Sequence, residues 1–99
     1  MTMKTLNLAL KREYFDAIQS GKKIEEYRLC TPYWARRLEG KNYERVMLTL
    51  GYPSSNDVKR RIVKPWLGFV RKTITHPLFG LTPVEVFSID LSGTTEGAS

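Results

Sequence analysis

The chain has only one cysteine, Cys30, and one histidine, His76. A single cysteine cannot form an intramolecular disulfide, so nothing in the sequence indicates an oxidising compartment. The sequence also lacks a CxxC pair, a histidine cluster and a glycine-rich phosphate-binding loop. We therefore expect neither a structural metal nor a cofactor. One histidine also excludes a two-histidine ribonuclease mechanism within a single chain.

Long apolar runs are missing as well. The segment "MTMKTLNLALKREYF" resembles a signal peptide superficially, but Asn7 interrupts its apolar run, which ends at Lys11. No small-residue cleavage site follows, and no apolar run approaches the length needed to span a membrane. We expect a cytoplasmic protein with no membrane partner.

Acidic residues are absent from Val58 to Val84, although the whole chain has 10 acidic and 16 basic residues and a net charge of +6. Basic and aromatic residues are interleaved in this segment: Lys59, Arg60, Arg61, Lys64, Trp66, Phe69, Arg71, Lys72 and Phe79. Basic groups pair with phosphates and flat rings stack on bases, so the mixture suits nucleic acid. A solvated strand face above an apolar core has the same composition, and the sequence leaves both interpretations open.

The size and composition predict one globular domain. The chain has 99 residues, of which 41% are hydrophobic and 26% are charged, enough for a single modest core. We place this domain at residues 1–91. The small polar residues 92–99 predict a flexible C-terminal tail.

The apolar periodicity predicts an α+β fold. Leu6, Leu8 and Leu10 alternate with other residues, which indicates a half-buried strand. The predicted elements are a strand at 6–10, a helix at 12–20, a strand at 23–30, a helix at 32–39, a strand at 43–52, a turn at 53–57, a strand at 67–75, a loop at 76–83 and a final, central strand at 84–91. The second helix is capped by Thr31, begins at Pro32 and is followed by Gly40. Residues 57–66 give no clear pattern, and Pro65 argues against a central strand there. About five strands and two short helices suggest a small mixed or closed β-sheet.

The stretch "SGKKIEEYR", at residues 20–28, concentrates charges of both signs. Alternate residues of a strand share a face, so Glu26 and Arg28 are neighbours, and Lys23 lies at the junction after Gly21. On an exposed strand such ion pairs contribute only about 0.2–1 kcal/mol each. If they are partly buried, the three charges stabilise one another and are preorganised to bind a polar ligand.

The pattern G-x-K-x-x-E-x-R, spelled by Gly21, Lys23, Glu26 and Arg28, resembles the signature of the ASCH family in the PUA-like superfamily. The preceding "LNLALKREYFDAIQSGKK" is similar to the first strand and helix of that family, and "PVEVFSIDL" to its closing strand. The resemblance covers most of residues 4–91. It implies a small PUA-like β-barrel of about five to six mixed strands with two short flanking helices.

The resemblance also implies a function. In ASCH domains the motif residues line a cleft proposed to accommodate RNA or a nucleotide, so Lys23, Glu26 and Arg28 are the binding candidates here. We add to them the basic and aromatic residues that would follow the nucleic-acid backbone: Arg60, Arg61, Lys64, Trp66, Arg71, Lys72 and His76. The leading hypothesis is a nucleic-acid-binding domain, most simply for RNA or a modified nucleotide.

Two alternatives stay open. Some ASCH members are amidohydrolases acting on N4-acylated cytidine nucleosides, with a threonine where this chain has Glu26, and ribonuclease activity is attributed to others. In an enzyme, Lys23 and Glu26 would have acid or base roles, and Tyr27, Lys72 and His76 are further candidates. The second alternative is an adaptor whose basic surface meets an acidic protein.

Overall fold

The computed structural model describes residues 4–53 and 57–95. Six strands and two α-helices lie within these residues, which confirms the predicted α+β class. The elements are β1 (Thr5–Leu10), α1 (Arg12–Gln19), β2 (Glu25–Leu29), α2 (Pro32–Leu38), β3 (Arg45–Leu50), β4 (Arg61–Pro65), β5 (Phe69–Ile74) and β6 (Val84–Asp90), with single 3₁₀ turns at Val58–Arg60 and Pro77–Phe79.

The strands form two three-stranded sheets. In the first, with the order β1-β3-β4, β1 is parallel to β3 and β3 is antiparallel to β4. The second is antiparallel and has the order β2-β6-β5, so β6 is central as its two apolar faces predict. Within the described residues the pairings do not close into a barrel. The coarser prediction of a mixed α+β domain is confirmed, and the closed barrel stays a prediction.

The helix boundaries follow their sequence signals. Gly21 has a φ of 81° after α1 and Gly40 has a φ of 69° after α2, a conformation that glycine adopts without steric cost. At the start of α2 the hydroxyl of Thr31 accepts a hydrogen bond from the backbone N–H of Trp34. The two described helices have 8 and 7 residues, and neither has the length and apolarity needed to cross a membrane.

Both sheets and both helices contribute to one hydrophobic core. Its fully or nearly fully buried members are Leu6, Leu8, Leu10, Phe15, Ile18, Leu38, Val46, Leu48, Ile62, Phe87, Ile89 and Leu91. The parallel register aligns Leu6 with Val46 and Leu8 with Leu48, so the inward residues of β1 and β3 stack in pairs. The core therefore fixes β1, and with it the start of α1, against the sheet that carries β2.

Strand β4 is the element that sequence analysis missed. Its inward positions are Ile62 and Lys64, and a lysine at a core position breaks the expected apolar alternation. The aliphatic stem of Lys64 is buried, and its Nζ donates a hydrogen bond of 2.9 Å to the carbonyl of Gly93. Pro65 ends β4, which lies at the edge of its sheet, so the expectation that this segment is not a central strand is confirmed.

Two predictions fall partly outside the described residues. The predicted turn at 53–57 includes residues 54–56, and the predicted tail includes residues 96–99, all of which lie outside the described part. At the start of the tail, a Cβ on Gly93 would come within 2.5 Å of the Pro65 ring. Only glycine fits at this close approach.

Replacing Phe87 with alanine is expected to lower the free energy of unfolding by about 3–5 kcal/mol, because it empties a fully buried site in the middle of the core. The Phe87 ring also makes an edge-to-face contact with Phe69, with ring centroids 5.2 Å apart. Urea denaturation measures the change. The control Val70→Ala, at a side chain that is 57% exposed on β5, should lose less than about 1 kcal/mol. Equal losses in the two variants would contradict the proposed core.

Candidate functional site

Strand β2 presents its two consecutive glutamates to opposite faces of the sheet. Glu26 pairs with Ile89 and Arg28 with Phe87, two core residues of β6, so both charged side chains lie on the inner face. Glu25 pairs with Asp90 and lies on the outer face. Two charged side chains of β2 thus lie beside the core residues Phe87 and Ile89, which confirms that Glu26 and Arg28 are neighbours on one surface.

The carboxylate of Glu26 is held between two cations. Its Oε1 lies 3.4 Å from Nζ of Lys23, and its Oε2 lies 3.1 Å from a terminal guanidinium nitrogen of Arg28. Glu26 is only 7% exposed, whereas the side chains of Lys23 and Arg28 are 18% and 22% exposed. A buried carboxylate is costly unless it is paired, so this arrangement is far from the solvated strand edge that composition alone allows.

Lys23 is aimed inward by the end of α1. After Gly21 the chain turns back, and the backbone N–H of Lys23 donates to the carbonyl of Ala17 at 3.0 Å. The ammonium then lies 5.0 Å from the ring centroids of both Tyr14 and Tyr27, close enough for cation–π attraction. The ammonium therefore has a fixed position between two rings and one carboxylate.

Arg28 is fixed from three directions. Besides Glu26, its terminal nitrogen donates to the carbonyl of Ala9 at 3.2 Å, near the end of β1. Its guanidinium carbon lies 5.0 Å from the ring centroid of Trp34 on α2. The buried Nε of Arg28 has no hydrogen-bond partner in the described structure. Strands β1 and β2 and helix α2 thus meet at this one side chain.

These three charges border a cavity of about 330 Å³, which we call the Glu26 cavity. Its lining residues are Ala9, Leu10, Lys11, Tyr14, Lys23, Glu26, Tyr27, Arg28, Leu29, Thr31, Trp34, His76 and Phe79. The lining includes three basic side chains, one carboxylate and, with the imidazole of His76, five aromatic rings. A pocket with apolar walls and a few fixed polar groups suits a small planar polar ligand.

His76 lies among the aromatic rings of this wall. Its ring centroid is 6.4 Å from those of Tyr14 and Tyr27 and 5.9 Å from that of Phe79. Burial raises the pKa of the Tyr14 hydroxyl, and the carboxylates of Glu13 and Glu26 raise it further. Tyr14 is therefore a neutral hydroxyl at pH 7, able to donate or accept a hydrogen bond at the cavity.

The other predicted binding residues are not gathered at this cavity. Arg60 pairs with Asp57 at 3.1 Å, Arg71 pairs with Glu39 and Glu85, and Lys64 is buried under Gly93. Trp66 packs against the core, with its ring centroid 5.2 Å from that of Tyr43. Arg61 donates to the carbonyl of Pro53 at 3.3 Å and borders a different cavity. Acidic residues from elsewhere in the chain thus neutralise part of the basic segment, and its contact with nucleic acid stays a prediction.

Lys72 belongs to a separate cluster on the outer face of the second sheet. The carboxylate of Glu25 accepts hydrogen bonds from Lys72 Nζ at 2.8 Å, from Ser88 Oγ at 2.5 Å and from Tyr27 Oη at 2.7 Å. These bonds, that of Lys72 first, lower the pKa of Glu25 from 4.5 to about 2. The same carboxylate raises the pKa of Tyr27 to about 12. The hydroxyl of Tyr27 is thus committed to Glu25, while its ring lines the Glu26 cavity.

Sequence analysis missed two functional candidates, Tyr14 and Trp34. Each lies one helical turn before an apolar residue of its helix, Ile18 or Leu38, a spacing that predicts a core position. The structure leaves both half-buried and at the wall of the Glu26 cavity. Tyr14 lies in the first turn of α1, close to where β1 ends, and that position is the signal in the sequence that could have indicated its place at the cavity.

Within the described residues, no group of three or more histidine, cysteine, aspartate and glutamate side chains could hold a metal ion. Comparison of the chain with models of known protein families, with curated proteins and with solved structures found no match. The geometry of the site and the motif in the sequence are therefore the grounds for a functional proposal.

The stabilisation that Glu25 provides is expected to depend on pH. Because the pKa of Glu25 is lowered from 4.5 to about 2 by folding, its contribution is complete above pH 4.5 and is lost as the pH falls towards 2. The difference in unfolding free energy between the wild type and Glu25→Gln should therefore grow between pH 2 and pH 4.5 and then stay level. Urea denaturation across this range measures it. A difference that does not vary with pH would show that Glu25 is not selectively stabilised as the anion.

Proposed function

We propose that this protein binds RNA or a nucleotide in the cytoplasm and that the Glu26 cavity is the binding site. The observation that carries the proposal is the buried carboxylate of Glu26, paired with Lys23 and Arg28 at the wall of an aromatic cavity. A base would lie against the rings, while fixed donors and an acceptor meet its polar edge.

The sequence motif supports the same assignment. Lys23, Glu26 and Arg28 are the three residues matched to the ASCH signature, and they converge on one cavity. We therefore propose that the chain is an ASCH domain with a small PUA-like β-barrel. In this proposal Glu26 accepts a hydrogen bond from an amino or imino group of the base. Lys23 and Arg28 hold the carboxylate in place and contact base oxygens or phosphate.

Three basic groups against one carboxylate also make the cavity attractive to a polyanion. Binding to nucleic acid releases counterions, so the affinity should fall as salt rises, with a log–log slope of about −0.7 for each phosphate neutralised on a single strand. Titration of a labelled single-stranded RNA and a structured RNA at increasing salt tests this dependence. Affinity that is indifferent to salt, or no binding in dilute buffer, would rule the proposal out.

The matched pair Lys23→Ala and Lys22→Ala separates the cavity from general charge. Lys22 is the exposed neighbour of Lys23 and does not line the cavity. A hydrogen bond to a charged group contributes about 1.5–3 kcal/mol, so Lys23→Ala should weaken RNA binding roughly 10- to 100-fold. Lys22→Ala removes the same charge and should cost about threefold or less. Equal losses in the two variants would place the RNA elsewhere.

A hydrolase acting on a modified nucleoside is the second candidate function. It is favoured by the 3.4 Å contact between Lys23 and Glu26 within the cavity, because a carboxylate and an amine held together can exchange protons with water and a leaving group. The reaction considered is hydrolysis of the amide bond of N4-acetylcytidine to cytidine and acetate. Arg28 would orient the base.

Incubation with N4-acetylcytidine and with labelled RNA tests the catalytic hypothesis. The enzyme proposal expects release of acetate, or cleavage of the RNA, by the wild type, and loss of at least about 100-fold in rate in Lys23→Ala. The Lys22→Ala variant should keep the wild-type rate. If the wild type turns over neither compound, binding is the remaining function of the cavity.

A further inference from the structure

A second cavity is also bordered by Arg28. It has a volume of about 430 Å³ and shares Ala9, Arg28 and Trp34 with the Glu26 cavity. Because one guanidinium borders both spaces, a ligand in either cavity lies next to Arg28. We call the second space the arginine cavity.

Three arginines from three separate elements line the arginine cavity: Arg28 on β2, Arg37 on α2 and Arg61 on β4. Its described lining includes no aspartate or glutamate. Arginines that lie close together raise the local positive potential, and of these three Arg28 is also paired with Glu26. Tertiary folding thus creates a concentration of positive charge that no single segment of the sequence contains.

Arg37 differs in its partners from Arg60 and Arg71, which form ion pairs with carboxylates. Arg60 is paired with Asp57, and Arg71 with two glutamates. Among the described residues Arg37 makes no ion pair. Its guanidinium carbon instead lies 5.3 Å from the ring centroid of Tyr33 and 5.6 Å from that of Trp34. Its Nε is buried without a hydrogen-bond partner in the described structure, so the guanidinium has donor capacity that the described residues do not use.

The chemistry of the lining selects the class of ligand. A planar guanidinium matches the oxygens of a phosphate in a two-point contact, and stacking on rings holds it ready for that contact. Tyr33 and Tyr52 also border the cavity and are 53% and 96% exposed, so the exposed parts of their rings can contact a base of the next nucleotide. A single-stranded nucleic acid is bound by such a combination, because arginines contact its phosphates and exposed aromatic rings stack on its bases.

We propose that the arginine cavity is a phosphate subsite, and that the protein therefore binds a phosphorylated nucleotide or a single strand in preference to a free nucleoside. The proposal rests on the proposed function of the Glu26 cavity, which takes the base of the same nucleotide. Arg37 and Arg61 contact the phosphate, and Arg28 lies between the phosphate and the base. The phosphate subsite extends the proposed function in two ways. It specifies the class of ligand, and it adds Arg37, which the sequence motif does not include.

The first test compares Arg37→Gln with Arg36→Gln. Arg36 is the exposed neighbour of Arg37 on α2 and lines neither cavity, so the two changes remove the same charge from the same helix. Fluorescence anisotropy with a labelled single-stranded RNA of mixed sequence should show roughly tenfold weaker binding for Arg37→Gln. The slope of log affinity against log salt should be smaller by about 0.7, the equivalent of one phosphate contact. Arg36→Gln should lose about threefold or less and keep the wild-type slope.

A conservative variant, a folding control and a comparison of two ligands complete the test. Arg37→Lys keeps the charge but loses the two-point contact, so its affinity should lie between those of the wild type and Arg37→Gln, and urea denaturation shows whether each variant is folded. For the wild type, a nucleoside 5′-monophosphate should bind at least tenfold more tightly than its nucleoside. If the monophosphate and nucleoside bind equally, or if Arg37→Gln and Arg36→Gln behave alike, the subsite is overturned while RNA binding at the Glu26 cavity stands.

A second measurement does not depend on the Glu26 cavity. Titration with inorganic phosphate, followed by the arginine Nε–H signals in a nitrogen-15 NMR spectrum, should shift the signal of Arg37 in a saturable way and leave that of Arg36 unchanged. If the wild type does not bind RNA but this shift occurs, the proposed function fails and the subsite stands. Equal small shifts of all arginine signals, or none, would overturn the subsite.

Discussion

The pairing of a buried carboxylate with two cations is the interaction on which the candidate site depends. Glu26 is almost fully buried on the inner face of β2, where its neighbours across the sheet are Ile89 and Phe87. A carboxylate in such a place is stable only if opposite charges accompany it, and removing one partner of a buried pair is strongly destabilising. Lys23, which follows α1, and Arg28, near the end of β2, therefore both pair with Glu26. All three residues line the same cavity.

The position of Arg28 follows from the same pairing and determines how the two cavities relate. Its guanidinium reaches Glu26, the carbonyl of Ala9 and the ring of Trp34, which belong to three different elements. Arg28 thereby borders both the Glu26 cavity and the arginine cavity. A charge that first serves to stabilise a buried carboxylate is thus also available to a ligand on either side.

The two faces of β2 carry similar charged residues that have different roles. On the outer face Glu25 is bonded to Lys72 of β5 and Ser88 of β6, so its carboxylate links the three strands of the second sheet. All of these groups satisfy one another. On the inner face the charges of Glu26, Lys23 and Arg28 border open space. The alternation of side chains along a strand is what allows consecutive glutamates to have a structural role on one face and a candidate binding role on the other.

Local patterns in the sequence determined a large part of this protein. The alternation of leucines, the glycines after the helices and the alternation of charges in β2 predict β1, both helix ends and the shared face of Glu26 and Arg28, because each depends on residues close in the chain. Strand β4 was missed because Lys64 occupies an inward position, which is tolerable only when the distant carbonyl of Gly93 accepts its hydrogen bond. The ion pairs of the basic segment could not be predicted for a related reason, since its counter-charges, such as Glu39 and Glu25, come from other segments. Which charges are neutralised and which line a cavity was decided only by tertiary structure, because electrostatic energy depends on distance in space and not on separation along the chain.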